Sequence, residues 1–400
     1  MALLRTRALG RADLSRALGL SKTALGDLIA DLGAEGLVVE NSVAQEPVAQ
    51  NPVAQNPSAQ NPLPRSAPRG RRPALLRVNA RRAAVIGVEL SATVFEYGVY
   101  DLTSTLLCVE RLPSRRTEGE ARVYLQLLGG IRTALERAEK LGYPVAAVGV
   151  AAPVSQGARL GALLMSPAFP ELHHLRLRSR LEDDLGLPVR LEHNSAAAAT
   201  AFLRQHDGEN FVYLLLLEQG IGAGLVMDRR VYRGAHGYAG EFGHVSLDVN
   251  GPPCPCGNRG CLERLADVDA ICQAYAGRVQ ADLPLTRIVE RAGQGEEAAL
   301  EVLEGAGRAI GLAAAALVNL LDPGLLVLGG PGARASPFLI PAIRRELRGR
   351  AYPYLGWGDH LEIRACTLPN PVGCGAAECV LNALYRGDIP LSQPRPVAGV

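Results

Sequence analysis

The sequence predicts an α/β protein of two lobes, preceded by a small winged helix-turn-helix domain. Three observations predict it. The first eighty residues read as two short helices followed by a hairpin. From residue 83 onward strand and helix patterns alternate, and the alternation runs through twice. Four hundred residues also exceed what one hydrophobic core organises, so two or three domains are expected.

In the first domain, residues 11–18 (Arg-Ala-Asp-Leu-Ser-Arg-Ala-Leu) form a short helix that Gly19 ends. The stretch before it leaves barely one turn for a preceding helix, which therefore reads as clipped. Ser21 is placed to cap a second helix over 22–35, with Leu25, Leu28, Ile29 and Leu32 on one face. Two helices joined by a three-residue turn form the arrangement whose second helix enters the DNA major groove. Lys22 and Thr23 open that helix and are its candidate DNA contacts. Gly26 and Asp27 equip it poorly, since glycine costs up to about 1 kcal/mol of helix stability and a carboxylate repels phosphate.

Residues 36–40 read as the first wing strand and 74–79 as the returning one. Between them, 43–62 repeat Val-Ala-Gln-Asn-Pro with small variations. A proline every fifth residue forbids both a helix and a ladder strand, so an extended, solvated excursion is expected over about 43–73. Arg65, Arg69, Arg71 and Arg72 follow the repeat and are candidate DNA contacts on the wing.

Charge divides the chain in the same place. Residues 1–82 carry 12 Arg and Lys against 6 Asp and Glu, and the remainder carries 30 against 34. A basic head on a mildly acidic body is what a nucleic-acid module joined to a small-molecule module shows. The whole is 48% hydrophobic and 20% charged, as soluble globular proteins are. No apolar run reaches the length of a membrane span, and the N-terminus lacks the parts of a signal peptide. A cytoplasmic location is expected.

Strands are predicted over 83–90, 95–101 and 105–112, then a long helix over 118–141 and a strand over 145–151. A helix–strand pair ends at 188–192, and an alanine-rich helix covers 195–203. The second set opens with Phe-Val-Tyr-Leu-Leu-Leu-Leu at 211–217 and continues through 222–227, several helices and a strand at 324–328. Two similar α/β sets imply two lobes with a ligand cleft between them.

The densest chemistry lies at 241–263, where Glu-Phe-Gly-His is followed by Pro-Cys-Pro-Cys-Gly-Asn-Arg-Gly-Cys-Leu-Glu. His244, Cys254, Cys256 and Cys261 supply one imidazole and three thiolates, a complete set for a closed tetrahedral Zn2+ site. Cys108, Cys272, Cys366, Cys374 and Cys379 are dispersed in apolar surroundings and read as reduced core residues.

These stretches resemble the signature of the ROK family (repressors, open reading frames and kinases of sugars). The likeness is carried by Gly-Ile-Gly-Ala-Gly-Leu at 220–225, Arg-Gly-Ala-His-Gly-Tyr-Ala-Gly-Glu-Phe-Gly-His at 233–244 and the cysteine loop at 254–263. It extends over 4–40 and 70–388. It implies a two-lobed actin-like, hexokinase-like fold, with a winged helix-turn-helix in the repressor branch. On that resemblance 1–80 is the winged domain, 81–203 the first lobe completed by a helix at about 374–388, and 204–373 the second lobe. The family's sugar contacts then match Asn194, Glu241, His244 and Glu263.

The chain departs from the family's kinases at three places. The carboxylate base that follows the Asn is Ser195 here, and a hydroxyl has no useful basicity near neutral pH. Asp-x-Gly-Gly-Thr of the first phosphate turn is Glu-Leu-Ser-Ala-Thr at 89–93, and Gly-Thr-Gly-Ile-Gly of the second is Glu-Gln-Gly-Ile-Gly at 218–222. No catalytic residue is therefore expected. The resemblance implies a sugar-responsive regulator, with a DNA operator, a sugar effector and a homodimer as partners. The alternatives are an active sugar kinase with an added DNA-binding head, and a structural protein that has lost both ligands.

Overall fold

The structure, a computed structural model, describes residues 4, 8–41, 74–153, 155–156, 163–165, 176–352 and 361–391. It divides into two compact units, 1–82 and 83–400.

The first unit holds β1 (Leu9–Gly10), α1 (Arg11–Leu18), α2 (Lys22–Ala34), β2 (Val38–Asn41) and β3 (Leu75–Val78). Gly19, at φ +64°, closes α1, and the Ser21 hydroxyl caps α2 by accepting from Ala24 N at 3.2 Å. The strands pair antiparallel in the order β1-β3-β2. Strand β1 was not expected, because two residues carry no alternation to read. Leu14, Leu25, Ile29, Leu37, Leu76 and Val78 form the core. Leu28 departs from expectation at 40% exposed. One partner helix and three short strands offer apolar cover for the stripe of Leu25 and Ile29 but not for its flank. The repeat at 43–62 and Arg65, Arg69, Arg71 and Arg72 lie outside the described residues.

The second unit contains two five-stranded sheets of one topology. Its first sheet has β4 (Ala84–Leu90), β5 (Val94–Asp101) and β6 (Leu106–Pro113) as an antiparallel meander. After α3 (Glu120–Lys140), β7 (Val145–Ala152) joins β4 in parallel. The short β8 (Ser155–Gln156) and β9 (Leu163–Met165) pair with each other. After α4 (Leu177–Leu185), β10 (Val189–His193) joins β7, giving the order β10-β7-β4-β5-β6.

Helix α5 (Asn194–Gln205) leads to the second sheet. There β11 (Phe211–Leu216), β12 (Ile221–Met227) and β13 (Arg230–Tyr232) repeat the meander. The helices α6 (Glu263–Ala266), α7 (Val268–Val279), α8 (Leu285–Gly293) and α9 (Glu297–Leu321) follow. Strands β14 (Leu325–Gly329) and β15 (Glu362–Ala365), separated by α10 (Ser336–Arg350), add in parallel to β11. The order is β13-β12-β11-β14-β15, and α11 (Pro371–Arg386) closes the unit.

Among the described residues, three apolar clusters hold this unit together. One packs α3 and α4 on the outer face of the first sheet, and another packs α7 to α10 on the outer face of the second. The third lies between the sheets and is built from α5, α11 and the inner residues Ala151, Phe211, Tyr213 and Val327. Small residues let these layers approach. A Cβ on Gly375 of α11 would lie 1.8 Å from the Ala197 carbonyl oxygen of α5, so the two helices cross with backbones in contact. That contact explains the alanine run at 196–199. Cys108, Cys272, Cys366, Cys374 and Cys379 are half-buried, less deeply set than expected. None of the described helices is long and apolar enough to cross a membrane.

Candidate functional site

The loop between β13 and α6 has little regular structure, and its backbone is fixed by specific bonds. Gly240, at φ +96°, passes so close to β12 that a Cβ would lie 1.9 Å from the Ala223 carbonyl oxygen. Its own carbonyl accepts from Ala223 N at 2.8 Å. Phe242 plugs into the second lobe's core, and the turn Phe242–His244 then carries His244, which is partly exposed. Further on, Leu247 N donates to Gly260 O and Cys254 N to Asn258 O, both at 2.8 Å. Gly260, at φ +61°, has no room for a side chain against the Asp248 carbonyl.

These bonds draw His244, Cys254, Cys256 and Cys261 together, with all ligand atoms within 4.8 Å of one another. His244 Nδ1 lies 3.7 Å from Cys254 Sγ, and Cys256 Sγ lies 3.7 Å from Cys261 Sγ. A tetrahedron with metal–sulfur bonds of about 2.3 Å has edges of about 3.8 Å. The donors and the spacing therefore fit a tetrahedral metal ion, with Nδ1 as the histidine ligand. In the metal-free chain, burial pushes the Cys254 and Cys261 thiols up, with Glu263 adding to the effect at Cys254.

Glu263, the first residue of α6, sits against this cluster. Its Oε1 lies 3.0 Å from Cys254 Sγ and 3.5 Å from His244 Nδ1. Glu241 is three residues before His244 in the same turn, and its carboxylate reaches 3.7 Å from His193 Nε2 at the end of β10. Asn194 follows His193 as the first residue of α5 and is fully buried. Its Nδ2 donates to Leu90 O at 3.1 Å, while its Oδ1 has no hydrogen-bond partner. A buried acceptor without a donor is uncommon, and an incoming hydroxyl would satisfy it. Of the expected residues, Glu263 is brought against His244, and Glu241 is brought to His193, which sequence reasoning missed; Asn194 adjoins His193 in the chain and contacts Leu90. An adjacent cavity of about 80 Å³ is lined by Glu192, His193, Ala223, Tyr232 and Arg233. Arg233 donates two bonds to the Glu192 carboxylate across the lobes, a link also without a sequence signal.

The two turns that match phosphate loops use their donors internally. Ser91 Oγ accepts from Val94 N at 3.0 Å and from Thr93 N at 3.4 Å, filling the hairpin. In the second turn Gly220 N donates to Asp267 Oδ2 at 3.0 Å. Ser195 is buried, with its hydroxyl 2.8 Å from His193 Nδ1. Glu89 stands opposite Glu96 in the ladder, and Glu96 opposite Arg111, which bonds it. Burial, then the charges of Glu96 and Glu218, push the Glu89 carboxyl up to about 8.

That shift has a testable sign. The folded chain keeps a proton on Glu89 that the unfolded chain releases near its ordinary value of 4.5. The stabilisation is complete below that value and is lost as pH rises through about 8. Glu89→Gln should flatten the fall in stability between these limits, a fall on the order of 5 kcal/mol at most, read from urea midpoints. Parallel pH profiles for the two proteins would contradict this account of Glu89.

Lys22 and Thr23 are exposed at the start of α2 in the first unit.

Comparison with known proteins agrees with this architecture. The ROK family model matches residues 85–380. Over 361 residues the chain is 24% identical to the xylose repressor of Bacillus spizizenii, covering 88% of this chain and 86% of that protein. A solved ROK family transcriptional regulator, a homologue of the E. coli MLC protein, superposes with a TM-score of 0.77 at 25% identity, covering 95% of this chain and 93% of the other. The ROK hexokinase from Thermus thermophilus superposes with a TM-score of 0.61 at 31% identity, covering 76% of this chain and 99% of the other. With the family match running through both lobes, the chain belongs to the ROK family.

Proposed function

We propose that the protein is a sugar-responsive, DNA-binding transcriptional regulator, a repressor in the manner of its named relative, that binds a sugar without phosphorylating it. One observation carries the reading. Glu263 lies 3.5 Å from His244, and Glu241 of the same loop reaches within 3.7 Å of His193, the neighbour of the buried Asn194, while the position of the kinase base holds a buried Ser195 bonded to His193. Carboxylates and an amide bind vicinal hydroxyls in fixed geometry. Zn2+ on His244, Cys254, Cys256 and Cys261 shapes the loop that carries Glu241 and Glu263. The likeness to a hexokinase favours a second reading, sugar phosphorylation, and the filled phosphate turns oppose it.

In this proposal residues 1–82 bind an operator, with Lys22 and Thr23 at the groove and Arg65, Arg69, Arg71 and Arg72 on phosphates. A homodimer would place two such units on a pseudo-palindromic site. The protein acts in the cytoplasm. The test is a thermal-shift series with D-xylose, D-glucose and N-acetyl-D-glucosamine, one of which should raise the melting temperature by mass action. Absence of a shift with all three would contradict the sugar-site reading.

A further inference from the structure

We infer that His193 is a positioning residue of the sugar site, acting through the Glu241 carboxylate, and that Ser195 anchors its ring. This rests on the sugar-site reading above. His193 ends β10 and caps α5, so its backbone is held on both sides. Ring Nδ1 accepts from Ser195 N at 3.3 Å and lies 2.8 Å from Ser195 Oγ. With the backbone N–H already pointing at Nδ1, that nitrogen is the acceptor, so the hydroxyl donates to it and the ring proton sits on Nε2.

Nε2 faces Glu241 Oε1 at 3.7 Å, longer than a hydrogen bond and close enough for attraction between an N–H and a carboxylate. Nearby Glu192 does not compete for Nε2, because its carboxylate is taken by Arg233 and by the His193 backbone N–H. Gly222 of β12 makes the space. A Cβ there would lie 2.9 Å from Ser195 Cβ and 3.3 Å from His193 Cε1.

The relay therefore runs from the first turn of α5, through the imidazole, to the loop of the opposite lobe. It gives Ser195 a role of its own. Its hydroxyl donates to Nδ1 and so leaves the single proton of the neutral ring on Nε2, facing Glu241.

Two substitutions separate positioning from simple capping. His193→Asn keeps a good helix cap but has nothing that reaches Glu241. His193→Gln loses the cap but carries an N–H at the reach of Nε2. Wild type, both variants, Glu241→Ala and the double variant His193→Asn/Glu241→Ala are titrated calorimetrically with D-xylose, D-glucose and N-acetyl-D-glucosamine, alongside melting temperature and metal content. For the sugar that binds wild type, His193→Asn should weaken affinity about tenfold with metal content unchanged. His193→Gln should keep most of it, and His193→Asn should cost nothing further once Glu241 is alanine. Wild-type affinity in His193→Asn, or independent effects in the double variant, overturns the relay while leaving the sugar site standing. Failure of wild type to bind any of the three, or full binding by Glu241→Ala, overturns the sugar-site reading and the relay with it.

Discussion

Replacing Cys256 by serine is expected to strip the chain of its metal, lower the melting temperature by about 10 °C and abolish sugar binding. The loop between β13 and α6 has scattered backbone bonds and one plugging side chain, Phe242, in place of a ladder. A tetrahedral ion would tie its four ligands into one body, and structural zinc contributes on the order of 10 kcal/mol or more to the folds it holds. Cys256 Sγ lies 3.7 Å from Cys261 Sγ, so a hydroxyl there breaks one edge of the tetrahedron. Glu241 lies on this loop and Glu263 at its junction with α6, so loss of the ion should also displace the proposed sugar contacts. Cys272→Ser, outside the cluster, should keep both. Elemental analysis and thermal melts of the two variants check this. Full metal content in Cys256→Ser would refute the assignment.

Phosphoryl transfer should be absent, and restoring the carboxylate base should not bring it back. A general base is worth about 10²–10⁴ in rate, but only when the phosphate is also held. In this chain the Thr93 and Val94 N–H groups are spent on Ser91, and the Gly220 N–H on Asp267. Glu89 and Glu218 add acidic groups near the same place. Wild type and Ser195→Asp should therefore both release ADP at the no-sugar background in a coupled assay with each of the three sugars. Sugar-dependent turnover in wild type would reverse the reading.

The parts of this fold that repeat themselves were legible in the sequence. The run at 211–217, read as opening the second α/β set, holds the buried strand Phe211–Leu216, and the spacing at 241–263 pointed to the His and Cys residues that the structure brings together. Short edge elements were not legible. β13 and β15, of three and four residues, are recruited by neighbours already in place and carry no pattern of their own. The same limit applied to the site. His193 and Glu241 lie in different lobes, and nothing near either residue points to the other. Glu192 with Arg233 is a second pair of that kind, and Leu28 shows that helical spacing names a face without saying how much of it a small domain can cover.

In the proposed regulator, sugar occupancy changes the affinity of the chain for a specific DNA sequence. A duplex selected from a random pool by the full chain in sugar-free buffer provides the probe. Its anisotropy is then titrated with protein at about 150 mM salt, beside a scrambled duplex, with and without the sugar that raised the melting temperature. The selected duplex should bind at least about a thousandfold more tightly than the scrambled one. Saturating sugar should change that affinity by at least about fivefold, the size of an ordinary coupling between two sites. Equal binding to both duplexes, or an affinity indifferent to sugar, would contradict the account.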